Sequence, residues 1–408
     1  MKWISARYVA RIAPFILSVF LTGCFGQEDI NNLAMVMAVG IDEGKRPGTV
    51  LVTAQIARPS DAVGQTGAPV GGTGKPIWTA AAEGRSIFEA MRNLDRFSSR
   101  RVYWGHNKII VLSAAVARHG VNDAIDFFTR NHELRMRTWV MVTPKSASEI
   151  VASKTGLQVI PGDSVDRLFH YSAYTSEAPP VDMRTFQATF LNPTSQAVLP
   201  RVDIVQRGMP ATHKEEFGTS PQVELSRAAY FIGNHMVGWM TIPETRGALW
   251  FLGHETSREM VLHCPDSSGK WTTLEMRTSH FVITPHLLNG KVSFVIHLRA
   301  DFDLVEADCP SVSSNLVLTH ALEMEARIKL REELLSAIHL SQRTGSDFLR
   351  LGERVEDRYP AEWRTLRDHW PQTLSRAEFL IHVKSSIRSP VLLAVPTRPG
   401  SVSKEVIK

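Results

Sequence analysis

No stretch of this 408-residue chain is apolar for 18 residues, the length a membrane-crossing helix demands, so a polytopic membrane fold is excluded. Ile12 to Thr22 is an apolar stretch of 11 residues, broken only by Pro14 and Ser18. It follows a positive segment formed by Lys2, Arg7 and Arg11. That is about half of a spanning helix and has the form of a signal-peptide core. It ends in Leu21-Thr22-Gly23-Cys24, which has the form of a bacterial lipobox. The expectation is that residues 1–23 are a cleaved signal peptide and that Cys24 becomes the N-palmitoyl, S-diacylglyceryl residue of a lipoprotein. Two or more acyl chains, at about 0.8 kcal/mol per buried CH₂, hold a folded ectodomain to a membrane without a spanning helix.

Length and composition predict an ordinary globular ectodomain. The chain is 43% hydrophobic and 21% charged, and 408 residues suit two or three domains. Removing residues 1–23 takes three cations from 46, leaving 43 basic against 41 acidic residues, a net +2. That balance gives no electrostatic footprint for nucleic acid. Cys264 and Cys309 then remain, and either a disulfide or two separate thiols fits them.

Hydrophobic periodicity predicts an α+β chain of mixed sheets with packed helices, divided into residues 25–143, a loop-rich 144–222, and 223–391. Leu33–Gly40 and Thr49–Ala57 suit a hairpin, and Asn107–Leu112 and Thr138–Val142 suit strands. Ala114–Phe128 suits one helix. Arg58–Pro76, with five glycines and three prolines, reads as a mobile loop. A helix is expected near Ser146, with Glu149 completing a capping box. Gln206–Gln222 reads as a linker. Gly233-Asn234 suits a two-residue hairpin turn opening the last block. Strands are expected at 273–278, 281–286 and 292–300. A long helix over 315–341 is expected to bury a stripe of Val317, Ala321, Met324, Ile328, Leu335 and Ile338.

The search for catalytic constellations is negative. Gly71-Gly72-Thr73-Gly74-Lys75-Pro76 lacks the first Gly and the Ser/Thr of a phosphate loop. Gly162-Asp163-Ser164-Val165 and Gly120-Val121-Asn122-Asp123 resemble the nucleophile and oxyanion blocks of GDS-type esterases. Their order is reversed, and no Asp-x-x-His follows. His119, His132, His254 and His263 lack metal spacing, and His106 suits a structural role. Asp301 and Asp303 share a strand face, which a solvated surface explains. No metal and no cofactor are expected.

The residues nevertheless carry a resemblance. Leu21-Thr22-Gly23-Cys24, Asn31-Asn32-Leu33-Ala34, Gly40-Ile41-Asp42, Gly105-His106-Asn107-Lys108-Ile109-Ile110, Arg130 with Glu133-Leu134-Arg135, and Val198-Leu199-Pro200 follow one another in the N-terminal half. Ala229-Tyr230-Phe231, Val237-Gly238-Trp239, Glu244-Thr245-Arg246-Gly247, Asp347-Phe348-Leu349-Arg350-Leu351-Gly352-Glu353, Tyr359-Pro360-x-x-Trp363 and Trp370 follow in the C-terminal half. In order and spacing this resembles the spore germination lipoproteins of the Ger(x)C type, the C subunits of nutrient germinant receptors. The resemblance departs at Phe25-Gly26-Gln27 and in the loop at residues 59–76. It implies a non-enzymatic, three-domain α+β lipoprotein on the outer face of the inner spore membrane, assembled with integral-membrane A and B subunits. Trp363, Trp370, Arg364 and Arg367 are the candidate partner surface, the alternative being that both indoles pack the C-terminal domain. An extracytoplasmic solute-binding lipoprotein is the second reading, and it predicts two similar lobes around a hinge.

Overall fold

The computed structural model describes residues 32–58, 77–153, 155, 158, 160–208, 220–255, 257–265, 269–308 and 316–388. The lipobox with Cys24, the Gly-rich loop at 59–76, and Cys309 lie outside them.

The first sheet has nine strands. Eight lie in the order β3 (Ile77–Gly84), β2 (Val50–Ala57), β1 (Leu33–Glu43), β5 (Ile109–Ser113), β6 (Trp139–Thr143), β7 (Val198–Gly208), β8 (Ser220–Ile232), β9 (His235–Trp239). Short β4 (Arg101–Tyr103) pairs with the start of β1. The centre β1-β5-β6 is parallel and both flanks are antiparallel. Parallel strands are covered on both faces, which explains runs such as Ile109-Ile110-Val111-Leu112. Ile110 and Leu112 enter one core, Ile109 and Val111 the other.

Helices α1 (Ile87–Asp95), α2 (Ala114–His119), α3 (Asn122–Arg130) and α6 (Met183–Leu191) fill the first of these cores. The second is filled by α4 (Ala147–Ala152) and α5 (Pro161–Thr175). The single helix expected over Ala114–Phe128 is two, because Gly120 takes φ 140°, ends α2 and turns the chain. The cap of α4 also differs from the expected capping box. Asp42, at the end of β1, accepts from the backbone amides of Ala147 at 2.8 Å and Ser148 at 2.9 Å. A carboxylate from another element satisfies the helix terminus in place of Ser146 and Glu149.

The second sheet has the order β10 (Glu259–His263), β11 (Trp271–Leu288), β12 (Lys291–Ala307), β13 (Glu378–Arg388), with β12–β13 parallel. The two strands expected at 273–278 and 281–286 are one, β11, which continues through polar Thr278–His280 with a register shift. One face of this sheet carries α7 (Ile242–Leu252), α8 (Leu316–Thr344), α9 (Leu351–Arg358), α10 (Pro360–Leu366) and α11 (Trp370–Ser375). Helix α7 opens with a full capping box between Thr241 and Glu244. It crosses α8 so closely that a Cβ on Gly247 would lie 2.0 Å from the Glu333 carbonyl oxygen.

The hairpin around Gly233-Asn234, expected to open the last block, instead completes the first sheet through the β7–β8 pairing. Strand β8 joins the two halves. Ala229 and Phe231 enter the N-terminal core, while Ala228 and Tyr230 enter the C-terminal one, where Tyr230 meets Phe348.

The long helix corrects a second expectation. Its buried stripe is Leu322, Ala326, Leu330, Leu334 and Ala337. Val317, Met324 and Ile328 lie on the opposite side and are 75%, 48% and 50% exposed, while Ile338 alone of the expected stripe is fully buried.

Candidate functional site

Among the described residues no group of three or more His, Cys, Asp or Glu side chains is placed to hold a metal ion, and no helix is long and apolar enough to cross a membrane. Ser164, the serine of the esterase-like block, is buried in the first turn of α5 and accepts the Gln158 amide at 3.2 Å. That hydrogen bond turns the hydroxyl toward the backbone rather than toward a base. His106 is exposed, its ring 6.2 Å from that of Tyr103. Cys264 is disulfide-bonded, with its partner outside the described residues.

What the signature motifs build is a set of polar joints, from half-buried to fully buried. Gly40 lets α4 approach β1, since a Cβ there would sit 3.0 Å from the Ala147 backbone. Two residues on, Asp42 caps that same helix. Lys108 of the Gly105–Ile110 motif bridges Asp163 at 2.7 Å and Asp166 at 3.4 Å on α5. Asp166 also accepts from the Trp139 indole at 2.9 Å, and that ring stacks on Phe169 at 4.7 Å.

The most enclosed joint centres on Asp347, in the turn between α8 and α9. Its carboxyl accepts from the amides of Leu351 (2.9 Å) and Gly352 (2.7 Å) and from the Trp370 indole (2.8 Å). Burial pushes its pKa up to about 6, outweighing the three donors that favour the charged form. Gly352 has no room for a side chain, because a Cβ would meet Trp363 at 2.8 Å and the Asp347 carboxyl at 3.1 Å. The Asp347 carbonyl accepts from the Gln196 amide, and neighbouring Ser346 donates to the Phe231 carbonyl. This turn therefore seams the C-terminal helices to the first sheet.

The four residues expected to form a partner surface divide. Trp363 and Trp370 are 3% and 1% exposed, packed edge to face at 5.1 Å inside the C-terminal core. Their side chains are core, so of the two readings it is the packing of both indoles that the structure shows, and neither belongs to an exposed partner surface. Arg364 and Arg367 are exposed on the outside of the same helical segment. The sequence reading missed the role of Asp347, because it stands four and five residues before the amides it accepts from, outside the two- or three-residue spacing of a helix N-cap.

A second buried cluster lies between α7, α8 and β10. Arg258 sits 2.7 Å from Glu333 and 3.1 Å from Glu255, with the three residues 1%, 4% and 6% exposed. Burial, followed by the influence of Glu333, pushes the Glu255 pKa up to about 8, against the pull of Arg258. Burial thus favours the neutral form of the Glu255 carboxyl, while the Arg258 guanidinium donates to Glu333.

A cleft of about 590 Å³ opens beside the C-terminal end of β1. Ile41, Ile87 and Val116 form an apolar floor beneath exposed Arg46 and His119. The two sheets differ in strand number and order, so the chain does not consist of the two similar lobes that a solute-binding lipoprotein predicts.

The profile described as "Spore germination protein N-terminal domain" matches residues 26–204, and "Spore germination B3/GerAC like, C-terminal" matches residues 226–390. The chain belongs to the GerAC-like spore germination protein family. Within the family, spore germination protein KC of Bacillus subtilis (strain 168) is 23% identical over 367 residues, covering 87% of this chain and 89% of the relative. Spore germination protein B3 of the same organism is 23% identical over 379 residues, covering 91% and 95%. The crystal structure of the GerBC protein superposes with a TM-score of 0.52 at 21% identity, covering 86% of this chain and 96% of that one, so the fold is shared. This agrees with the resemblance read from the sequence motifs.

Proposed function

We propose that this chain is the membrane-anchored lipoprotein subunit of a spore nutrient germinant receptor, needed for nutrient-triggered germination and held with integral-membrane A and B subunits. Family membership along nearly the whole chain carries this reading. The buried joints support it, because they stiffen a two-sheet body and leave its outer surfaces for partners. The work proposed is positioning rather than catalysis. An anchor at Cys24 would confine the ectodomain to a thin layer and raise its effective concentration toward membrane partners. Contacts of modest strength then suffice. Arg364 and Arg367 remain exposed for them, and the aliphatic stripe Val317, Met324 and Ile328 of α8 adds an apolar face.

The test compares Cys24→Ala with the parent chain in sporulating cells. Loss of the lipid is expected to impair nutrient-triggered germination and lower partner-subunit levels, while germinants that bypass receptors still act. A normal nutrient response from the unlipidated chain, or from a deletion, overturns the proposal.

A further inference from the structure

Among the described residues, helices cover one face of the second sheet only. Inward-facing residues such as Phe294, Ile296, Leu298 and Ala300 are fully buried under the helices, so the alternate residues of β11, β12 and β13 form an open face. The strand registers fix its rows. From the β11–β12 turn inward they are Leu288 beside Lys291, then His286–Ser293–Glu378, then Thr284–Val295–Leu380. Next come Val282–His297–His382 and finally His280–Arg299–Lys384. The four full rows cover roughly 20 Å by 10 Å at ordinary strand spacings, and the turn extends them.

The charge on this face is set by imidazoles. Lys291, Arg299 and Lys384 stand against Glu378 and against Asp301, which lies one row further on and pairs with Arg299 at 3.4 Å. In these rows three cations and two carboxylates leave one positive charge. The far end beyond Asp301, with Glu275, Asp303 and Arg388, brings the face to zero, and protonating His280, His286, His297 and His382 adds four. All four imidazoles are exposed, and the rings of His297 and His382 stack with centroids 4.9 Å apart. Two imidazoliums that close repel each other unless an anion lies between them.

Aliphatic side chains stand among the cations. Leu380 is 56% exposed and Val282 40%, while Leu288, at the tip before a turn with Asn289 and Gly290 both at positive φ, is 74% exposed. Cations interleaved with protruding aliphatics on an open sheet match the phosphate layer and outer acyl region of a bilayer. An acidic protein surface would match the charges but leave Leu288 and Leu380 unpaired.

We propose that the open face of β11–β13 docks on an anionic lipid surface, and that it docks more tightly as its four histidines become charged. The inference is independent of the Cys24 anchor, and it adds a second attachment that would orient the C-terminal half. The test compares about pH 7.5 with about pH 5.5, on either side of the range in which histidine serves as a charge switch.

Flotation of the Cys24→Ala chain tests this with phosphatidylcholine vesicles, alone or with about one-third phosphatidylglycerol. Comparison within one chain cancels any contribution of its leader. Binding to the anionic vesicles is expected to tighten about ten-fold or more at the lower pH and to weaken with salt. His297→Gln/His382→Gln is expected to lose most of that gain while keeping the parent melting temperature, since both side chains are exposed. His119→Gln, elsewhere on the surface, is expected to keep it. Equal binding to neutral vesicles, pH-independent binding, or an unchanged double variant overturns the proposal. So does displacement by millimolar inorganic phosphate, which would indicate a free-anion site. Binding of polyglutamate without binding of anionic vesicles would replace the lipid with an acidic protein partner.

Discussion

Replacing Asp347 by Asn removes one buried charge without changing the shape of its turn, and the pH dependence of the effect follows from the structure. In the parent chain burial raises this carboxyl from an ordinary 3.8 to about 6. The folded state therefore binds a proton more readily than the unfolded chain between those values. Stability from this group is fully present below about pH 4 and is lost as pH rises through about 6. The difference is about 2 pH units, or about 3 kcal/mol. A carboxamide cannot titrate, so the Asp347→Asn chain lacks that gain at low pH. At pH 7 the carboxamide removes the cost of a buried charge, but it turns one amide group toward donors that need an acceptor. The Trp370 indole, the Leu351 amide and the Gly352 amide all point at the site. An unsatisfied buried donor costs about 1–3 kcal/mol, so at pH 7 the two effects largely offset. Urea unfolding followed by tryptophan fluorescence, at about pH 4.5 and about pH 7, gives the double difference. The destabilisation by Asp347→Asn is expected to be larger at the lower pH by about 2–3 kcal/mol. A pH-independent difference, or one larger at pH 7, would refute the argument that burial outweighs the three donors.

The other predictions concern the second buried cluster and the two tryptophans. Arg258→Met is expected to cost about 3–5 kcal/mol in denaturant unfolding at pH 7 because it removes the cation paired with the buried Glu333 carboxyl. Glu255→Gln is expected to stay within about 1 kcal/mol of the parent at that pH, since burial already favours the neutral form of the carboxyl it replaces. A large loss from Glu255→Gln would mean that the carboxyl is ionised. Trp363→Ala is expected to cost about 3–5 kcal/mol of stability, whereas Arg364→Ala and Arg367→Ala shift it by no more than about 0.5 kcal/mol. Equal effects from the three variants, read by thermal unfolding, would contradict the burial of the indole.

Strands and turns in this chain are legible locally. Ile109-Ile110-Val111-Leu112 is apolar on both faces because both faces are covered, and Gly233-Asn234 makes the same hairpin turn in whichever sheet receives it. The sheet to which that hairpin belongs depends on β7, more than twenty residues upstream in sequence, and nothing in the turn itself encodes it. The two-helix break at Gly120 could have been anticipated from the glycine. The cap of α4 could not, because Asp42 is about a hundred residues from the amides it satisfies.

The long helix gives the sharpest division. Its sequence holds two apolar stripes on opposite sides, Val317, Met324 and Ile328 against Leu322, Ala326, Leu330 and Leu334. Periodicity establishes that each stripe exists, but it is blind to which one meets a sheet. Packing against β10–β13 and α7 buries the second stripe, and the first stays in solvent. The same limit applies to Trp363 and Trp370, whose size and Arg neighbours fit a surface as well as a core until the Asp347 carboxyl supplies an indole partner. His297 and His382 come into one row only once a parallel strand from late in the chain is laid beside β12. Sequence alone determined the class of element and the family, because these rest on local pattern and order along the chain. Which face is covered, which charge is buried and which residues meet across strands were decided by the tertiary structure, because each depends on contacts between residues far apart in sequence.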